Sequence, residues 1–140
     1  MASESRPCQG AILLLESLGA FQESPLTDPA DIARRIVDAL ADRQAEDIVL
    51  LDIRQLTSFA DYFVIASAIN PRQMRALVEI VGKDLREDGV RLRHQEGEMD
   101  SGWVLLDYID VVVHLFSPEQ RERYRLEELW REATQVVRIQ

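Results

Sequence analysis

The 140-residue sequence has a single cysteine, Cys8, a single lysine, Lys83, and two histidines, His94 and His114. One cysteine cannot form an intramolecular disulfide, and it leaves neither a multi-cysteine zinc site nor a Cys-x-x-Cys redox pair. No histidine stands near Cys8 in the sequence to activate it as a catalytic thiol. There is no glycine-rich phosphate loop and no Gly-x-x-x-x-Gly-Lys segment, and Lys83 falls within a helical pattern, so a nucleotide triphosphatase is disfavoured. Ser58, Ser67 and Ser101 lack the Gly-x-Ser-x-Gly setting of a nucleophile elbow, and two histidines offer little choice of base. The apolar run Ala11 to Leu15 is too short to cross a bilayer and lacks the flanks of a secretory signal. A membrane-free protein of the reducing cytoplasm is expected.

What is present is enough for one folded domain. The hydrophobic content of 46% and charged content of 29% are near those of ordinary globular proteins. Sixteen basic residues against twenty-five acidic ones leave a formal charge of -9. That balance opposes broad contact with nucleic-acid phosphates, so no dedicated nucleic-acid site is expected, and it favours a basic protein partner.

The pattern sharpens after Ser24 and Pro25. Asp28 followed by Pro29 is a cap and first-turn proline, and Ile32, Ile36, Val37 and Leu40 then recur on one helical face. Ile48 to Ile53 and Tyr62 to Ala66 read as strands covered on both sides. Asn70-Pro71 starts a second helix, with Met74, Leu77, Val78, Val81 and Leu85 as its stripe, stopping before Gly89. Val90 to His94 suggests a short edge strand. Val104 to Leu106 and Val111 to Leu115 suggest an antiparallel hairpin, and Ser117-Pro118 opens a third helix. The final residues, Val136 to Gln140, are expected at the periphery. The fold class is therefore α/β: a sandwich with a mixed sheet of about five strands and flanking helices. The last strands are joined too tightly for a doubly wound parallel sheet.

The hairpin carries the chemistry. With Tyr108 and Ile109 as the two turn residues, Asp107 pairs with Asp110, Leu105 with Val112 and Trp103 with His114. These six share one face. The other, Val104, Leu106, Val111, Val113 and Leu115, is aliphatic and expected beneath the helices. The first face mixes aromatic, aliphatic and charged groups, which suits a partner-binding surface but equally suits ordinary core or rim packing. Asp107, Asp110 and His114 could gather ligands for a metal, but three candidates do not make a site, and acidic residues also suit turns. Asp52 and Asp61 form a second carboxylate pair with the same reading.

Three stretches, taken in order, resemble the ribosomal silencing factor (Iojap) family. They are Ala60-Asp61-Tyr62-Phe63-Val64-Ile65-Ala66-Ser67 with Arg72-Gln73 beyond it, Trp103-Val104-Leu105-Leu106-Asp107-Tyr108, and Asp110-Val111-Val112-Val113-His114-Leu115-Phe116. Pro118-Glu119, Arg121-Glu122, Tyr124 and Leu126 to Trp130 resemble the family's carboxy-terminal pattern. On this reading residues 1–27 are a variable extension, 28–130 the family domain and 131–140 a tail.

The resemblance implies a nucleotidyltransferase-like fold without catalysis or cofactor. It would bind the large ribosomal subunit through that subunit's ribosomal protein fourteen, obstruct joining of the small subunit and lower translation when nutrients are scarce. Carried over by position, the contact surface involves Trp103, Leu105, Asp107, Tyr108 and Asp110, with Asp61 and Tyr62 added. The aromatics would supply buried area and the aspartates would pair with arginine or lysine. The sequence departs from the family pattern at Ala68 and Ile109, where glycine is usual, and at Arg125, where aspartate is. Ile109 matters most, because a β-branched residue resists the positive backbone angle of a tight turn. The competing reading is a metal-dependent nucleotidyltransferase-like enzyme using Asp52, Asp61 or Asp107. A homodimer through an exposed sheet edge or the amino-terminal extension is also open.

Overall fold

A computed structural model describes residues 26–140. Cys8, Ala11 to Leu15 and nearly all of the 1–27 extension lie outside the described residues. Among the described residues, no helix is long and apolar enough to cross a membrane.

Local sequence sets the helices. In α1 (Pro29–Asp42) the Asp28 carboxylate accepts from the Ala30 amide, and Ile32, Ile36, Val37 and Leu40 are buried. In α2 (Pro71–Glu87) the Asn70 side chain accepts from the Gln73 amide, and Met74, Leu77, Val81 and Leu85 are buried. In α3 (Pro118–Tyr124) the Ser117 hydroxyl accepts from the Gln120 amide. Each cap satisfies an amide that the first turn would leave without a partner, and the proline after it has no amide to satisfy.

The strands are β1 (Glu46–Asp52), β2 (Tyr62–Ser67), β3 (His94–Glu96), β4 (Trp103–Asp107), β5 (Val111–Phe116) and β6 (Thr134–Ile139), with a one-turn helix α4 (Leu126–Leu129) before the last. They form one six-stranded sheet in the order β3-β4-β5-β2-β1-β6. Only β2 and β5 run parallel, and every other neighbouring pair is antiparallel. The long route from β2 to β5, through α2 and the β3–β4 edge, supplies the crossover that parallel pairing requires.

Three expectations are corrected. The edge strand is His94–Glu96 rather than Val90 to His94, because Val90 turns inward to the core while the Arg93 amide already bonds the Asp107 carbonyl. The sheet has six strands rather than about five, because the final residues, peripheral as expected, form an edge strand: β6 pairs with β1. Both β3 and β6 are mostly exposed at sheet edges, so hydrophobic signal neither fixes the bounds of the first nor announces the second. The third correction is the hairpin register, described below.

The two sheet faces are covered unequally. α1 and α2 bury one face over Ile48, Leu50, Val64, Ala66, Val104, Leu106, Val113 and Leu115, so the aliphatic side of the hairpin packs beneath the helices as its alternation indicates. Among the described residues, the opposite face, with Val49, Leu51, Phe63, Ile65, Val112 and Phe116, has no long helix over it. Leu126, Trp130 and Ala133 pack against it instead. Trp130 meets Phe63 edge-on at 5.0 Å.

Candidate docking face

The β4–β5 turn positions the face. Trp103 pairs with Phe116, Leu105 with His114 and Asp107 with Val112, two residues out of the expected register. The central turn residues are therefore Ile109 and Asp110, not Tyr108 and Ile109. Ile109 sits at φ 77°, the Asp110 amide donates to the Tyr108 carbonyl at 3.0 Å, and the Tyr108 amide donates to Val111 at 2.9 Å. A three-residue bond closed around a positive φ is the strained γ-turn form, and a β-branched side chain adds to its cost. The Asp107 carboxylate stabilises the turn by accepting from the Ile109 amide at 2.7 Å.

A register shift of two residues preserves the faces. Trp103, Leu105 and Asp107 lie with Val112, His114 and Phe116 on the side away from α1 and α2, and β3 extends that side because His94 pairs with Asp107 and Glu96 with Leu105. Trp103, Leu105 and Asp107 are partly exposed, while Val112, His114 and Phe116 behind them are buried. Trp103 stacks on Phe116 at 5.1 Å, lies 4.6 Å from the half-exposed Tyr124 ring, and donates its indole N–H to His114 Nδ1 at 3.3 Å. His114 in turn meets Phe63 edge-on at 4.9 Å. The aromatic chain continues through Trp130 to Phe59, which is 61% exposed. A rigid, partly exposed aromatic strip thus crosses the open sheet face.

The remaining candidate residues are placed differently. Tyr108 is 4% exposed and points into the helical core, and burial pushes its hydroxyl up to about 12. Tyr62 is likewise buried beneath the helices, with the Arg54 guanidinium 5.4 Å from its ring centre. Neither side chain stands beside Trp103. Both sit at the end of the sheet where the Asp110 carbonyl accepts from the Asp61 amide at 2.7 Å and the Tyr62 amide at 3.1 Å, joining the turn to the start of β2. The Asp110 side chain is exposed and Asp61 partly so. Asp107 is bonded to Arg93 at 2.8 Å. Asp52 is held below the usual carboxylate range by the Arg54 guanidinium, which binds both its oxygens. Among the described residues, no three His, Cys, Asp or Glu side chains gather as metal ligands.

A further group, Arg121, Ser67 and Glu127, was not legible in the sequence. Arg121 is 8% exposed, donates to the Ser67 hydroxyl at 2.9 Å and grips the Glu127 carboxylate through two nitrogens at 3.1 and 2.9 Å. This bidentate bond fixes α4 to the end of β2, and α4 leads directly into Trp130. The only sequence signal is the mixture of Arg121, Arg123 and Arg125 with Glu119, Glu122, Glu127 and Glu128, which also describes an ordinary exposed helix.

Fold and face together define a small α/β sandwich whose open side is an aromatic strip with acidic groups around it. The family model described as ribosomal silencing factor during starvation matches residues 26–140. The ribosomal silencing factor of Bacillus subtilis is 38% identical over 95 residues, covering 68% of this chain and 80% of that protein. A crystal structure of a Chromobacterium violaceum protein is similar with a TM-score of 0.71 at 37% identity, covering 74% of this chain and 87% of that one. A mouse protein named mitochondrial assembly of ribosomal large subunit protein 1 is 33% identical over 98 residues, 68% of this chain and 43% of its own length. The chain belongs to the ribosomal silencing factor family.

Proposed function

We propose that this domain represses translation in the cytoplasm by docking its open sheet face on ribosomal protein fourteen of the large ribosomal subunit, where its bulk obstructs joining of the small subunit. The role is regulatory and needs no reaction step. The observation that carries it is the arrangement around Trp103: a partly exposed indole fixed by Phe116, His114 and Tyr124, beside Leu105 and on the same face as Asp107, with Asp110 and Asp61 at the turn end of the strands. A preorganised aromatic anchor loses little entropy on binding, and a carboxylate border attracts a basic partner and accelerates encounter. Tyr108 and Tyr62 act from behind, holding the turn that presents the two aspartates. The name of the mouse relative, which refers to large-subunit assembly, agrees with that choice of subunit.

Titration calorimetry against purified ribosomal protein fourteen tests the surface. Leu105→Arg, at a partly exposed strand position, should weaken binding by about thirtyfold or more, as expected for a central anchor, with the far-ultraviolet spectrum unchanged. Parent-level affinity in that variant would remove this face from the interface.

A further inference from the structure

Ile109, at the tip of the β4–β5 turn, occupies a backbone angle that suits it badly. Its φ of 77° lies within the three-residue turn that the Asp110 amide closes on the Tyr108 carbonyl. Gln44, Asp47 and Arg125 also have positive φ, at 63°, 51° and 47°. Those three are unbranched at Cβ and lie close to the left-handed helical angle, which such side chains enter at modest cost. Among the described residues Ile109 is the only β-branched residue at a positive φ.

Packing within the domain does not offset this strain. The Ile109 side chain is 52% exposed and belongs to neither apolar cluster of the core. Glycine, asparagine or aspartate would close such a turn more easily. The turn is nevertheless held firmly. The Asp107 carboxylate accepts from the Ile109 amide at 2.7 Å, and the Asp110 carbonyl accepts from the Asp61 and Tyr62 amides at 2.7 and 3.1 Å. An aliphatic side chain is thus presented to solvent on a rigid support, next to the exposed Asp110 carboxylate. Strain that the surrounding fold imposes without gaining contacts marks a position whose geometry serves binding, and a support fixed beforehand loses little entropy when a partner arrives.

We infer that Ile109 is a contact residue of the docking face, seated in an apolar socket of the partner whose rim carries arginine or lysine opposite Asp110. This contact rests on the docking proposed for the open face and extends it to the tip of the hairpin. Ile109 is four residues beyond Leu105, about 13 Å at the ~3.4 Å rise of an antiparallel strand. One partner's share of a standard interface, ~800 Å², is roughly 30 Å across and takes in both. The turn is less stable for carrying isoleucine, and binding gains its side chain.

Titration calorimetry of the full chain against purified ribosomal protein fourteen compares Ile109→Gly, Ile109→Ala and Ile109→Val with the parent. Glycine and alanine both remove the branched side chain, and glycine alone also frees the backbone. Each should weaken binding about five- to tenfold, the scale of burying the exposed half of an isoleucine, while valine should stay within about twofold of the parent. Glycine should at the same time raise the urea midpoint, so that affinity and stability move in opposite directions, as a purely structural role does not allow. Leu105→Arg, measured alongside, reports on the docking face separately. Its loss of binding together with parent-level binding by the glycine and alanine variants overturns the Ile109 contact alone. Weakening by glycine with parent affinity in alanine traces the effect to backbone freedom and overturns the contact as well. No binding by the parent removes the docking itself and the Ile109 contact with it.

Discussion

Trp103 donates its indole N–H to Nδ1 of His114 across 3.3 Å, from the open face into the layer behind it. Accepting at Nδ1 leaves the neutral ring's proton on Nε2, which is buried and has no partner among the described residues. Burial lowers the imidazole from its ordinary 6.5 to about 4. A positive charge at His114 would both displace the indole contact and be poorly solvated, so the anchor of the docking face depends on a neutral histidine.

Acid should therefore destabilise the fold through this residue. Between pH 6.5 and about 4 the unfolded chain binds a proton at His114 that the folded chain does not. Stability is then fully present above the unfolded value and declines as pH falls through this window, levelling off near the folded value, for a loss on the order of 3 kcal/mol. His114→Phe removes this term. Urea denaturation from pH 7 to 4.5 should show the variant gaining stability relative to the parent as pH drops; a constant difference would show that His114 does not titrate differently on folding.

Ile109 occupies φ 77° within a three-residue turn. Replacing it by glycine relieves a strain of about 1–3 kcal/mol and adds a smaller unfolded-state entropy cost of about 0.5–1 kcal/mol. Ile109→Gly should raise stability by about 1 kcal/mol in urea denaturation, and a loss of stability would contradict the strain assigned to this position.

Arg121 presents the opposite case. Removing its charge with Arg121→Met leaves the partly exposed Glu127 and the Ser67 hydroxyl without their donor, which costs about 1–3 kcal/mol. Arg121→Lys keeps the charge but cannot span the carboxylate with two nitrogens. Equilibrium denaturation should rank parent above lysine above methionine, while equal stability of all three would remove the clasp from the fold's energetics.

The legible parts of this fold are those whose causes are local. Asp28-Pro29, Asn70-Pro71 and Ser117-Pro118 each mark a helix start, because cap and proline act within one turn. The aliphatic side of the hairpin was equally plain, since alternation survives a slip of two residues. The register is not: side-chain alternation is the same for pairings two residues apart, and Ile109 falls in the turn whether its centre lies before or after that residue. The parallel β2–β5 pairing and the β1–β6 pairing join segments far apart in sequence, and β6 alternates too weakly to declare itself. For the candidate face, alternation alone puts Trp103, Leu105 and Asp107 on one side of β4. Tyr62 and Tyr108 came from family motifs that do not specify a face, and both side chains turn inward. Arg121 acts across 54 residues of chain to Ser67, a contact that only folding creates.

Subunit joining measures the central claim most directly. Purified large subunits are saturated with the full chain, small subunits are then added, and light scattering follows formation of joined ribosomes. Parent protein should suppress joining in proportion to the fraction of large subunits occupied, and Leu105→Arg at the same concentration should allow it. Normal joining at full occupancy by the parent would contradict the obstruction proposed here.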